Sequence, residues 1–195
     1  MATQNENRDK LTGVASWKYV SSILPGIIGH NGQVALILID VDRLNHYNAD
    51  FGTKSGDKQL IEIAREIETL SGESSLVFRY GGDEFGVILY EASLEQAREI
   101  AQRIRASFFV ESNGKEVETL TLSLGIAHFP THVSNAQDLL EVADLALLKT
   151  KRGGCLANGA TYSGRNRAMT IGDFLDDFPE QSEEFLNHET KQFGN

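Results

Sequence analysis

Two short stretches hold the acidic residues whose type and spacing suggest chemistry. Asp40 and Asp42 close an apolar run, Val34-Ala35-Leu36-Ile37-Leu38-Ile39. If that run is a strand, alternation sets both carboxylates on one side of it. A carboxylate at the carboxyl end of a buried strand is a common holder of a hard cation; the competing reading is a solubilising acid where a strand meets a loop. The second stretch is Gly81-Gly82-Asp83-Glu84, set between Phe78-Arg79-Tyr80 and Phe85-Gly86-Val87. Two glycines admit a tight turn and leave room for a phosphate beside the backbone. A polar hairpin turn would more often carry Asp-Gly or Asn-Gly, whereas here the acids follow the glycines, where a strand should begin. With Asp40 on a neighbouring strand, Asp83 and Glu84 would complete a one- or two-metal site. Such a site bridges triphosphate oxygens and lowers the pKa of an attacking hydroxyl, which is the chemistry of phosphoryl and nucleotidyl transfer.

The elements that must position these groups follow from periodicity. Asp9 or Thr12 is a candidate cap for a helix through Trp17, Tyr19 and Val20 to about residue 22 or beyond, with residues 26–32 as a loop. Residues 34–40 are short, continuous and apolar, the pattern of a central strand. Helical spacing of Leu60, Ile63, Ala64 and Ile67 predicts a helix over residues 57–70. Residues 75–80 and 85–90 read as two strands joined by the Gly-Gly-Asp-Glu turn. A helix over 94–109, a strand over 120–127 and a helix over 136–151 complete the pattern. The order, β-α-β-β-α-β-α after an opening helix, predicts an α/β (α+β) fold of the ferredoxin-like kind, a mainly antiparallel sheet flanked by helices.

Bulk properties bound the partners. The chain has 195 residues, 41% hydrophobic and 24% charged, which suits one soluble globular domain with short extensions. Residues 1–8 read as a flexible leader without a signal-peptide centre, 9–160 as the domain, and 161–195 as an acidic extension. Around Phe174, Leu175, Phe178, Phe185 and Leu186 that extension reads either as a short amphipathic helix or as a partly disordered tail. No apolar run is long enough to span a bilayer. The net charge of −10 argues against nucleic acid or an anionic membrane as partner, though not against a nucleotide held through metal. A single cysteine, Cys155, rules out an internal disulfide and suits a cytoplasmic location. The histidines show no metal-ligand spacing.

Arg79-Tyr80-Gly81-Gly82-Asp83-Glu84-Phe85 resembles the signature of the GGDEF (diguanylate cyclase) family. Further blocks stand in the family's order: Asp9-Lys10-Leu11-Thr12-Gly13, Asp40-Val41-Asp42 leading to Asn48, Gly52, and Gly56-Asp57. After the signature come residues 121–127, then Ala143-Asp144-Leu145-Ala146-Leu147 with Lys151 and Gly154. The resemblance spans residues 9–154 and implies a nucleotidyl cyclase palm that condenses two GTP into cyclic di-GMP and releases pyrophosphate. It implies that Asp40, the Val41 carbonyl, Asp83 and Glu84 hold Mg²⁺ or Mn²⁺, with Asp83 and Glu84 catalytic and Glu84 helping to activate the ribose 3′-hydroxyl. Asn48 and Asp57 are the implied guanine readers, since a carboxylate accepts from guanine N1–H and the exocyclic amine. Gly81, Gly82 and Lys151 are the implied phosphate contacts; for Lys151 a cation offsetting the helix dipole is the other reading. One site holds one GTP, so the reaction implies a homodimer, at least transiently.

Some positions depart from the family pattern. Leu44-Asn45 stands where Phe-Lys is usual, and Cys155-Leu156 where Arg-Asn is usual. Both changes remove a cation near the phosphates, and each charge-assisted hydrogen bond is worth on the order of 1.5–3 kcal/mol. Arg152 is a candidate substitute, and Cys155 reads as a drifted phosphate position rather than a nucleophile. The opening block also drifts: Val14-Ala15-Ser16-Trp17 stands where Leu-x-Asn-Arg is expected. Gly72-Glu73-Ser74-Ser75 occupies the place of the family's Arg-x-x-Asp product-inhibition stretch with neither charge needed, so no feedback binding is expected there. The alternative to an enzyme is a degenerate member that binds GTP or a protein partner without turnover.

Overall fold

The unbroken apolar run that ends at Asp40 is buried on both sides, and the rest of the chain is arranged around it. The computed structural model describes residues 7–30, 32–108, 120–152, 154–155, 161–162 and 164–173. In chain order they form β1 (Ala15–Ser16), α1 (Trp17–His30), β2 (Val34–Val41), α2 (Leu44–Phe51), α3 (Thr53–Ser71), β3 (Ser75–Arg79) and β4 (Glu84–Tyr90). Then follow α4 (Leu94–Ser107), β5 (Leu122–Phe129), α5 (Ala136–Arg152), β6 (Gly154–Cys155), β7 (Thr161–Tyr162) and β8 (Ala168–Thr170). The expected leader through residue 6 and the candidate amphipathic helix beyond residue 173 lie outside the described residues.

Six strands form one sheet in the order β1-β3-β4-β2-β5-β8. The four inner strands pair antiparallel, while the two short edge strands, β1 and β8, pair parallel. Central β2 has a strand on each side and helices on each face, so it needs apolar residues at every position rather than alternate ones. Ala35, Ile37, Ile39 and Val41 pack with residues of α3 and α4, including Ile63, Ile67 and Ile104. Val34, Leu36 and Leu38 pack on the opposite face with Val20, Leu24, Ala143 and Leu147 of α1 and α5. Continuing that alternation sets the even-numbered Asp40 on the α1 and α5 face.

One close approach positions α5. A Cβ on Gly125 of β5 would lie 2.3 Å from both the Ala143 carbonyl oxygen and the Leu147 nitrogen. The helix backbone therefore sits directly on the strand. Thr150, fully buried, secures its last turns by donating to Ala146 O at 2.8 Å and Leu124 O at 3.4 Å.

Three local expectations change. Asp9 caps no helix: its Oδ1 accepts from the Thr12 N–H at 2.9 Å and the Thr12 hydroxyl at 2.7 Å, closing a turn. Helix α1 instead starts after Ser16 and continues to His30 with Pro25 inside, so most of the expected loop at 26–32 is helical. Its apolar Leu24 and Ile28 are buried beneath the sheet, and tertiary packing outweighs the proline and glycine signals. The sheet also extends past the expected domain boundary at residue 160. Leu124, Gly125 and Ile126 of β5 pair with Ala168, Met169 and Thr170, so those three residues belong to the main sheet rather than to an extension.

Candidate nucleotide and metal site

The acidic cluster forms where three strand ends meet. Asp40, next to last in β2, stands in register opposite Glu84, the first residue of β4. Antiparallel partners project to the same face, so these two carboxylates are neighbours. The Gly-Gly-Asp segment folds back over them: Tyr80 N–H donates to Glu84 O at 2.8 Å, and Val41 N–H donates to Asp83 O at 3.0 Å. That second bond ties the signature loop to the end of β2. Arg79 braces the loop from below, its guanidinium donating to the carbonyls of Gly81 and Gly82 and pairing with Asp9 at 3.1 Å. Trp17, Phe78 and Tyr80 form an aromatic cluster at the loop's base, with Trp17 edge-on to Tyr80 at 4.8 Å.

The charges in this cluster are only partly compensated. Burial pushes the Asp40 carboxyl up, the negative charges of Asp83 and Asp42 add to that, and the Lys151 ammonium opposes it. Lys151 Nζ lies 2.6 Å from Asp40 Oδ2. Glu84 is likewise raised by burial and then by Asp40. Lys151 is the ammonium acting on both Asp40 and Glu84, and with Asp83 and Asp144 beside them the cluster keeps hard oxygen donors suited to a divalent cation. Among the described residues no group of three acidic, histidine or cysteine side chains already converges as a metal cage. The donor set fits a cation whose remaining ligands come from phosphate oxygens and water.

Asp42 plays another part. It is 3% exposed and satisfied on both oxygens: Thr121 Oγ1 donates at 2.7 Å, Ser123 Oγ at 2.8 Å and the Asn166 N–H at 3.1 Å. A carboxylate so saturated ties β2, β5 and the segment before β8 together.

Asn48 packs against Gly56, the residue before Asp57, at the corner between α2 and α3. A Cβ on Gly56 would stand 1.8 Å from Asn48 Oδ1, so the Asn48 amide lies against the first turn of α3, one residue from Asp57. Asn48 Oδ1 is buried and has no hydrogen-bond partner among the described residues. A buried acceptor left open is costly unless a ligand supplies the donor. Asp57 beside it is half-buried.

Sequence reasoning missed the arginine of this site. The backbone of Cys155 pairs with Thr161 in the β6–β7 ladder, a small hairpin that interrupts the chain after α5. The chain then returns to where it left: the Arg165 N–H donates to Thr150 O at 2.7 Å. Gly164-Arg165-Asn166 thereby resumes the Gly-Arg-Asn string expected at 154–156, and the Arg165 guanidinium reaches Asp42 at 3.6 Å. Arg165 is thus a candidate for the cation that Cys155 lacks. The Gly-Arg-Asn string at 164–166, ten positions downstream of its expected place, was the available signal. Asn45, by contrast, is exposed on α2, with no cation at its position.

Known proteins resemble this chain in sequence and fold. The family described as "Diguanylate cyclase, GGDEF domain" matches residues 6–155. The diguanylate cyclase DosC of Escherichia coli K12 is 32% identical over 154 residues, covering 75% of this chain and 33% of its own. Diguanylate cyclase A of Treponema denticola is 32% identical, covering 68% of this chain and 36% of its own. The chain spans about a third of the length of these relatives. Among solved structures, the isolated GGDEF domain of TpbB (YfiN) from Pseudomonas aeruginosa is 36% identical with a TM-score of 0.65, covering 72% of this chain and 86% of that one. The GGDEF domain of DgcB from Caulobacter crescentus, solved with c-di-GMP, shares the fold at a TM-score of 0.72 and 22% identity, covering 87% of this chain and 95% of that one. With the signature loop, the strand-end carboxylates and the Asn48–Asp57 corner in their common frame, this chain belongs to the GGDEF diguanylate cyclase family.

Proposed function

We propose that this domain is an active diguanylate cyclase. The observation that carries the reading is Asp40 standing in register opposite Glu84, with the Asp83 backbone tied to the end of β2 and Lys151 paired with Asp40. Two copies, each loaded with one GTP, face one another. Each ribose 3′-oxygen attacks the α-phosphorus of the other nucleotide. A new P–O bond forms, the bond from the α-phosphorus to the β-phosphate oxygen breaks, and pyrophosphate leaves from each side. Asp40, the Val41 carbonyl, Asp83 and Glu84 would hold a divalent cation, magnesium or manganese, which would supply charge neutralisation on the triphosphate and lower the pKa of the 3′-hydroxyl. Glu84 takes the hydroxyl proton as general base.

Asn48 and Asp57 read guanine, with Asn48 Oδ1 accepting from the base. Gly81 and Gly82 leave room for phosphate oxygens beside the loop, and Lys151 and Arg165 supply the cations. Feedback by product at residues 72–75 is absent from this reading. The cavity there, about 750 Å³, is lined by Glu68 and Glu73 with Arg8 as the counter-charge, a poor match for a dianionic product.

A second reading, GTP binding without turnover, draws on Asn45, which removes a cation expected near the phosphates. Incubation of the protein with GTP and Mg²⁺ or Mn²⁺, resolved by chromatography, separates the two. Cyclic di-GMP production, abolished in Glu84→Gln, is the expected result. GTP binding with no product, at concentrations high enough to dimerise the chain, would leave only the second reading.

A further inference from the structure

Lys151 stands in an unusual place for a residue whose task is to hold phosphate. Its Nζ makes a 2.6 Å ion pair with Asp40 Oδ2, and the Asp40 side chain is only 7% exposed. Asp40 is also the first carboxylate expected to hold the metal. Lys151 occupies Oδ2, and an ammonium held that close to a divalent cation on the same carboxylate would repel it and weaken its binding. The residue before Lys151, Thr150, is pinned to Ala146 and Leu124, so the backbone of this turn is fixed. Only the lysine's own four-carbon stem is free to redirect the ammonium, and that stem is flexible. At 30% side-chain exposure Lys151 has room to do so, whereas Asp40 has none.

We propose that Lys151 is an exchangeable counter-ion. It holds Asp40 while the site lacks nucleotide and transfers to the triphosphate when GTP binds, freeing Asp40 for the metal. The proposal rests on the nucleotide reading given above. Nucleotide and metal then bind as one coupled event, and by linkage each raises the affinity of the other. The nucleotide-free protein holds divalent metal weakly, since no ready cage of three ligand side chains exists among the described residues and one ligand is engaged. The exchange also keeps a buried carboxylate from standing uncompensated, which would otherwise destabilise the folded protein.

The test is Mn²⁺ binding to the full chain, followed by the electron paramagnetic resonance signal of free Mn²⁺. Without nucleotide, Lys151→Gln should bind Mn²⁺ about tenfold more tightly than wild type, the effect of releasing one charge-assisted bond. Lys151→Arg, which keeps the cation, should stay near wild type. Thermal melts of both variants establish that they are folded. With a non-hydrolysable GTP analogue present, wild-type Mn²⁺ affinity should rise at least about tenfold, and the rise in Lys151→Gln should be smaller. Equal Mn²⁺ affinity of wild type and Lys151→Gln without nucleotide would overturn the exchange while leaving the nucleotide site standing. Failure of the analogue to bind wild type at all would remove the nucleotide reading itself, and the exchange with it.

Discussion

Replacing Gly56 with alanine tests the guanine corner more directly than deleting either reader. The new Cβ would sit 1.8 Å from Asn48 Oδ1 and 2.9 Å from its Cγ. Ordinary contact requires about 3.5 Å, so the Asn48 amide must retreat by roughly 1.7 Å. That displacement breaks any hydrogen bond Asn48 makes to a base, at about 1–3 kcal/mol, or about five- to hundredfold in GTP affinity. The fold is spared: the clash is with a side chain, and alanine in an α-helix gains up to about 1 kcal/mol over glycine. Loss of nucleotide affinity should therefore come with a melting temperature that holds or rises. The assay is calorimetric titration of GTP and of inosine triphosphate, which lacks the exocyclic amine, each with magnesium. Wild type should prefer GTP, and Gly56→Ala should lose most of that preference. Unchanged GTP affinity and an unchanged GTP-to-ITP ratio in a folded Gly56→Ala protein would refute the assignment of Asn48 to the base.

Three further outcomes follow from the geometry. Arg165→Ala should weaken GTP binding roughly tenfold or more while Cys155→Arg changes it little, because the chain presents Arg165 and not residue 155 beside Thr150; titration with equal affinities for Arg165→Ala and wild type would contradict this. Gly125→Ala should destabilise by about 1–3 kcal/mol in urea melts, because its Cβ meets the α5 backbone at 2.3 Å, and should also impair nucleotide binding by displacing Lys151. Burial alone would raise the Asp9 carboxyl, but hydrogen bonds from Thr12 and Arg79 outweigh it and hold the pKa below 3.8. A depressed carboxylate contributes stability above its unfolded pKa and loses it as pH falls through the folded value. The deficit of Asp9→Asn should therefore be full above about pH 5 and shrink as pH drops below that, measured by urea melts across the range.

Much of the fold was legible because its signals are local. The apolar run at residues 34–39 announces a strand buried on both faces, and helical spacing announces α3, α4 and α5. The signature turn is equally plain, since glycines followed by acids at a strand start have few structural uses. What escaped reading depends on distant parts of the chain. Residues 26–30 carry glycines and follow a proline, and only the burial of Leu24 and Ile28 against the sheet keeps them helical. Strand β8 is three residues long and exists because β5 offers an open edge.

The same division runs through the site. By type and spacing, the sequence offered the strand-end acids and the two glycines as candidates, while Asn48, Asp57 and Lys151 joined them only through the resemblance to the GGDEF family. Side-chain chemistry and strand alternation are properties of neighbouring residues, so a linear string can carry them. Only the tertiary structure decided how those charges are partnered. It turned Asp42 into a tie between strands, paired Lys151 with Asp40, and left Asn48 Oδ1 buried and open. It also brought Arg165 back past a hairpin to the end of α5. Each of these depends on which groups meet across the sheet, and that is set by packing between segments far apart in the chain.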